Sequence, residues 1–319
     1  MHETKTIQEV ADAYALGTVE HTRHITVGLV NNTYLVTTQY GIYIFQQLNS
    51  VFKKEVTLDH KTIVTHLNEH GFLAPNLILT TSNAPYFECA GETWKACGYI
   101  PHDQHITLTD KTAISAAIVL ARFHKISSKL NYVPVHTLQH FHDTPHILRH
   151  LESVFTNSPF ELQTPISDWY SIIKRNIPKY FLTNQDECLI HGDPKFDNML
   201  FVHERAVGML DFDTCMIGSP LLDIGDAFRS WCRFDQTKFN QGRFESVACA
   251  YRSAFGSSYN DETMLRAVAL ITLELAARYL IDYIEDSYFA WNPKYSSRRE
   301  QNKQRCIRYT KYFLNMGFN

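Results

Sequence analysis

The segment His191-Gly192-Asp193-Pro194-Lys195-Phe196-Asp197-Asn198, followed thirteen residues after Asn198 by Asp211-Phe212-Asp213, constrains this chain more than any other stretch. Apolar runs bracket it: Cys188-Leu189-Ile190 before, Met199-Leu200-Phe201-Val202 after, and Ala206 to Leu210 ahead of the second acidic group. Short apolar runs bounded by turn-forming residues read as strands. The pattern therefore predicts short strands that present Asp193, Asn198 and Asp211 from the loops between them.

That spacing suits phosphoryl transfer. In such a reaction one carboxylate orients the accepting hydroxyl while oxygen ligands hold magnesium on the nucleotide phosphates, because positioning and charge neutralisation supply most of the catalysis. Asp193 is the expected base. Asn198 and Asp211 are the expected magnesium ligands, since hard oxygen donors suit that cation, and Lys195 either reaches the transferred phosphate or stands as a solvated surface charge. Asp213 is a secondary metal candidate, on the same face as Asp211 only if the strand continues that far. His191 is expected to brace the loop through a hydrogen bond, not to carry protons.

The order His-x-Asp, Lys, Asn and a later Asp resembles the protein-kinase catalytic loop. The fuller form, His-Gly-Asp-x4-Asn with Asp-x-Asp, resembles the aminoglycoside phosphotransferase and choline kinase superfamily. The similarity extends to Ile42 through Asn49 with Val51-Phe52, to Phe141-His142-Asp143-Thr144-Pro145, to Gly218 through Arg229, and to Arg278 through Tyr283. These segments are similar to N-acetylhexosamine 1-kinases, and the matches run from about residue 28 to about residue 305.

The resemblance implies an α+β, bilobal, protein-kinase-like fold. Residues 1–97 would form a small β-rich nucleotide-binding lobe, and residues 98–319 a larger, mainly helical lobe for catalysis and substrate binding. It implies ATP and magnesium as cofactors and a small-molecule acceptor, foremost a sugar phosphorylated on the anomeric hydroxyl of an N-acetylhexosamine. Aminoglycosides, choline and homoserine are the alternative acceptors. The turn with Gly28 and Asn31 would cover the nucleotide phosphates, and the hinge at Ala96, Cys97, Gly98 and Tyr99 would receive adenine. Asp223 would brace the catalytic loop, with helix N-capping as its other reading. Asp193, Asp226, Arg229 and Arg278 would contact the substrate, although Asp226 with Arg229 and Arg278 with Asp282 have the spacing of helical ion pairs.

One feature of kinases has no counterpart at the expected places. Protein kinases pair a lysine of the third strand with a helix glutamate, whereas Gln46, Gln47, Asp59 and His60 stand here. No such ion pair is predicted; either phosphate anchoring comes from elsewhere, such as Lys53, Lys54 or Lys61, or nucleotide affinity is weak or the donor is unusual. A kinase-like binding module without catalysis, or a hydrolase using the same acids and water, are the competing functions.

Composition narrows the class. A net charge of -3 and a pI near 6.6 supply no global field for nucleic acid or an anionic membrane. Seven cysteines without a Cys-x-x-Cys, and sixteen dispersed histidines without a His-Glu-x-x-His, give no zinc or disulfide framework. Met1 to Lys5 lacks signal-peptide character and the apolar run Ala116 to Ala121 is too short to span a bilayer. The expected setting is cytoplasmic, with no nucleic-acid or membrane partner, and no oligomer is established.

Periodicity predicts helices over residues 6–17, 57–70 (Leu58, Ile63, Val64 and Leu67 inward) and 111–124. Further helices are predicted over 141–154, 166–177, 222–234, 243–255, 261–285 and 298–316. Strands are predicted near 24–27, 32–37, 42–48, 77–81, 86–89 and 93–100. The aromatic group Trp231, Tyr283, Tyr288, Phe289, Trp291 and Tyr295 suits either sugar rings or core packing.

Overall fold

A computed structural model describes residues 2–25, 30–183, 186–256 and 259–317. The first lobe comprises helix α1 (His2–Ala13), strands β1 (Val19–Ile25), β2 (Asn32–Thr38) and β3 (Gly41–Gln47), helix α2 (Val56–Glu69), and strands β4 (Leu77–Ile78), β5 (Phe87–Cys89) and β6 (Glu92–Gly98). The antiparallel sheet runs β1-β2-β3-β6-β4, with β5 also on β6. α1 stops at Ala13, short of the expected Gly17, because Ala15 and Gly17 turn into the left-handed region at φ 53° and 82°.

Side chains alternate across a strand, and β6 shows both faces in use. Trp94 and Ala96 pack with Tyr34, Val36 and Phe45 beneath Ile7, Val10 and Tyr14 of α1. Lys95 and Cys97 therefore face the opposite side, toward α2. On α2, Ile63, Val64 and Leu67 are buried as the periodicity predicts, but Leu58 is 42% exposed. These inward residues join the large core of the second lobe with Phe72 and Ala74. Asp59 fastens the same helix to the segment at residues 132–136, accepting hydrogen bonds from the Tyr132 hydroxyl (2.6 Å) and the Val135 and His136 amides (2.7 and 2.9 Å).

The second lobe begins with α3 (Asp110–Ser127), α4 (Thr144–Asn157), the short α5 (Phe160–Gln163) and α6 (Ser167–Asn176). Strands β7 (Cys188–Ile190), β8 (Met199–Val202), β9 (Arg205–Met209) and β10 (Met216–Gly218) form two antiparallel ladders, β7 with β10 and β8 with β9. Helices α7 (Pro220–Trp231), α8 (Gln241–Phe255), α9 (Asp261–Glu285) and α10 (Arg298–Leu314) complete it. The expected span 261–285 is the observed α9, since Asn260 caps its start and Asp286 ends it in the left-handed region. Phe141 to Asp143 fall outside α4: Asp143 is its N-cap, accepting from the His146 amide at 3.1 Å.

This is the α+β, two-lobed, kinase-like architecture the resemblance implies. Among the described residues, no helix is long and apolar enough to cross a membrane.

Candidate active site

The catalytic-loop candidate leaves β7 at Ile190 and makes its turn at Gly192, where φ is +84°. A Cβ there would lie 2.5 Å from the Thr214 carbonyl oxygen, so glycine is required both for the dihedral and for the close approach. Asp223, fully buried on α7, accepts the His191 amide on Oδ2 (2.7 Å) and the Gly192 amide on Oδ1 (2.8 Å), and its Oδ2 also meets His124 Nε2 at 2.9 Å. The N-cap of α7 is Ser219, so Asp223 braces the loop and does not cap. His191 Nε2 lies 2.9 Å from the Leu210 carbonyl, which can only accept, and Nδ1 takes the Asp193 amide at 3.3 Å. That assigns a neutral imidazole with its proton on Nε2 and a bracing role.

A second support lies under the turn. His142 bonds the Gly192 carbonyl through Nε2 (2.8 Å) and Glu274 through Nδ1 (2.9 Å). Both partners are acceptors, so both ring nitrogens donate. Burial disfavours this imidazolium, but Glu274 outweighs it and its pKa is raised to about 9. Thr144 donates its hydroxyl to the other Glu274 oxygen.

Asp193 sits with its side chain 29% exposed, its Oδ2 paired to the Lys195 ammonium. Burial raises the Asp193 carboxyl above the usual carboxylate range, an effect that Lys195 opposes and Asp226 reinforces. For Lys195, burial is outweighed by Asp193 and Asp211, and the ammonium stays charged. Asn198 donates its amide to the Asp193 carbonyl at 2.8 Å and to its Oδ2 at 3.3 Å. With the NH2 group so engaged, the Asn198 oxygen is left as the end available to a ligand.

Asp211 and Asp213 do not share a face. β9 ends at Met209, Asp211 takes the left-handed conformation (φ 65°, ψ 66°), and residues 212–214 form a tight turn. Phe212, 1% exposed, packs against Phe123, His191 and His60. Burying a phenylalanine contributes roughly 1.5–3 kcal/mol, enough to fix the two acids on either side of it. Asp211 is exposed, whereas Asp213 is buried against Lys95 and accepts from the Asn31 amide at 2.9 Å. Although burial opposes it, Lys95 and His60 hold the Asp213 carboxyl well below the usual range.

The structure holds a buried lysine ion pair that the sequence reading did not anticipate, on β6 and not on β3. Lys95, 1% exposed, pairs with Asp213, and its Nζ lies 3.4 Å from His60 Nδ1. Burial works against its charge, but Asp213 and Cys97 outweigh it. The proposed substitutes are elsewhere: Lys53 and Lys61 are exposed, and Lys54 pairs with Glu88 at 3.3 Å.

The remaining nucleotide-site candidates divide. Gly28 lies outside the described residues. Asn31 is spent on Asp213 and, through Oδ1, on the Asn49 amide at 2.9 Å. Ala96 is corrected as a lining residue: its side chain is fully buried on the α1 side of the sheet. Cys97 faces His60. The Gly98 and Tyr99 amides are already bonded to the Asn76 and Ile42 carbonyls (3.0 and 3.3 Å), so they are not open donors for a purine edge.

On the acceptor side, Asp226 pairs with Arg229 one helical turn away, and Arg229 also stacks on the Tyr309 ring. Among the described residues, Asp226 Oδ2 is buried without a hydrogen-bond partner. Arg278 lies over the rings of Phe141, Tyr288 and Phe289, and among the described residues no carboxylate pairs with it. Asp282 is occupied by the Ser287, Tyr288 and Phe289 amides and by Asn302. Of the aromatic group, Trp231 is core, while Tyr288 and Trp291 are 55% and 47% exposed.

Sequence reasoning missed Lys95 and the His142–Glu274 pair. Each carried a signal: Lys95 stands between Trp94 and Ala96 in a strand, and Glu274 interrupts the apolar run Leu270 to Ala277. Charges in such positions are almost never buried without a partner.

The class that fold and loop define is a small-molecule kinase, a phosphotransferase acting on an alcohol group. A family model described as the Phosphotransferase enzyme family (APH) matches residues 21–254, and the chain belongs to that family. A homoserine kinase of Nitrobacter hamburgensis is 22% identical over 87% of this chain and 84% of its own length. Among solved structures, the amicoumacin kinase hAmiN in complex with AMP-PNP, Ca2+ and Ami superposes with a TM-score of 0.71 at 14% identity, covering 99% of this chain and 94% of that one. A microcompartment-associated aminopropanol kinase gives 0.66 at 16% identity, covering 96% and 95%.

Proposed function

We propose that the protein transfers the γ-phosphoryl group of ATP, with magnesium, to a sugar hydroxyl, foremost the anomeric hydroxyl of an N-acetylhexosamine. The observation that carries the reaction type is Asp193: a partly open carboxylate on a turn fixed by Asp223 and His142, flanked by Lys195 and Asn198. Asp193 accepts the hydrogen bond of the attacking hydroxyl and orients its oxygen. An anomeric hydroxyl is more acidic than an ordinary alcohol, so an orienting acceptor or late base suffices. Lys195 places positive charge beside the nucleophile and the transferred group.

The residues present fit a magnesium ion. The amide orientation of Asn198 leaves an oxygen, and Asp211 has no cation paired to it among the described residues, so these two would hold the ion. When bound, it would neutralise charge on the nucleotide phosphates. Asp213 is committed to Lys95 and is not assigned to the ion.

The sugar reading rests on the hexosamine-kinase-like segments and on the aromatic rings of Phe141, Tyr288 and Phe289 around Arg278, next to the His142 support. Asp226, with a buried unpartnered oxygen, would accept from an acceptor hydroxyl. A second reading has its own observation: Arg278 lacks an acid partner among the described residues and would take the carboxylate of homoserine, in line with the homoserine kinase relative. An ADP-release assay over N-acetylhexosamines, homoserine, choline and an aminoglycoside decides between them. Asp193→Asn should reduce turnover by at least about a thousandfold while nucleotide still binds. Turnover within a few-fold of wild type would remove Asp193 from its role.

A further inference from the structure

Three cross-strand neighbours on the cleft face of the sheet form a polar row: Thr33 on β2 is in register with Gln46 on β3, and Gln46 with Lys95 on β6. Gln46 donates to Thr33 Oγ1 at 3.3 Å, so this glutamine turns away from Lys95 along the row. Neighbouring strands lie about 4.8 Å apart, less than the length of a lysine side chain. A lysine on β6 can therefore bring its ammonium to the place that a lysine on β3 would serve.

The surroundings of Lys95 point the same way. His60 on α2 stands where a helix acid would be expected; its Nε2 faces the Pro75 carbonyl at 3.1 Å, and its Nδ1 lies 3.4 Å from Lys95 Nζ and 3.8 Å from Asp213 Oδ1. Asp213 supplies the opposing charge, and Asp211 also acts on the ammonium. A fully buried lysine is costly unless paired. This one is placed between the sheet and the acidic turn that carries the metal candidate, not in a lobe core.

We infer that Lys95 is the cation that meets the phosphates of the donor nucleotide, a role moved by one strand from β3 to β6, with Asp213 holding the ammonium in position. This rests on the nucleotide-donor reading above. It identifies Gln46 as the vacated position and leaves Lys53, Lys54 and Lys61 without a phosphate role.

Calorimetric titration with ADP and with adenosine tests it, since only ADP carries the phosphates. Wild type should bind ADP more tightly than adenosine. Lys95→Met alone strands the Asp213 charge and risks misfolding, so the decisive variant is Lys95→Met with Asp213→Asn, its fold checked by thermal melting. It should lose ADP affinity by on the order of ten- to a hundredfold, as expected for a lost charge-assisted contact, with adenosine affinity held within about twofold. Gln46→Lys with Lys95→Gln, which returns the lysine to β3, should recover part of the ADP preference. A folded Lys95→Met/Asp213→Asn protein that keeps the wild-type preference for ADP overturns the assignment of Lys95. Absence of any ADP preference in the wild type overturns the donor reading itself, and the inference with it.

Discussion

The buried His142–Glu274 pair should make stability fall on the alkaline side. His142 is raised from 6.5 to about 9, and its side chain is 4% exposed beside a Glu274 that is 1% exposed. A group whose pKa is raised on folding stabilises fully below its unfolded value and loses that contribution as pH rises through the folded one. Linkage for this shift gives about 2.5 kcal/mol at pH 7 and under about 0.5 kcal/mol at pH 9. Guanidinium titrations of wild type and His142→Gln at both pH values isolate the effect, because groups common to both proteins cancel in the difference. The stability gap should shrink by roughly 2 kcal/mol between pH 7 and pH 9. Turnover should fall over the same range, since deprotonation removes one of the two hydrogen bonds, either to Glu274 or to the Gly192 carbonyl beside Asp193. A gap that stays constant with pH would refute the protonated, doubly donating His142.

Gly192→Ala puts a Cβ 2.5 Å from the Thr214 carbonyl at a φ of +84°, and should cost about 3 kcal/mol in thermal or denaturant unfolding; a loss under about 1 kcal/mol would mean the turn relaxes freely. Asp223→Ala leaves the His191 and Gly192 amides unsatisfied in a fully buried place, so stability should drop by roughly 3–5 kcal/mol, read by chemical denaturation. Asn198→Ala should raise the magnesium concentration for half-maximal ADP release by about tenfold or more, and an unchanged magnesium curve would take Asn198 out of the ligand set.

The legible parts of the chain are those where local chemistry and long-range packing ask for the same residues. α9 is readable to the residue because Asn260 caps it and Asp286 closes it. The catalytic loop is readable because its polar residues are spaced between apolar strands. Lys95 is not, because the familiar pairing of a β3 lysine with an α2 acid points one strand away from it. Its partner, Asp213, comes from a turn 118 residues later, a proximity that no local pattern encodes. Asp211 and Asp213 would share a face if β9 continued, but the strand stops and the turn at Phe212 sends them apart. Ala96 has the same explanation as Lys95: alternation on β6 sends one to the α1 core and the other to the cleft.

Most of the acids around the loop are already committed to partners, which narrows the candidate metal ligands. Asp193 is paired with Lys195, Asp213 with Lys95 and Asp226 with Arg229, while Asp223 meets His124 and Glu274 meets His142. These contacts hold Asp193, join the lobes and fix the turn. Gathering so many carboxylates without partners would raise their pKa values by mutual repulsion and destabilise the fold. Asp211 stands exposed with no cation paired to it among the described residues, two positions from the acid that holds Lys95. A substitution that frees a second carboxylate, such as Lys195→Met, would therefore change two properties together: it would strip the charge beside the nucleophile and add a competing anionic site next to Asp211. Loss of turnover in that variant reports on both, whereas Asp211→Asn keeps Lys195 in place and removes the candidate ligand's charge, which also acts on Lys195 and Lys95.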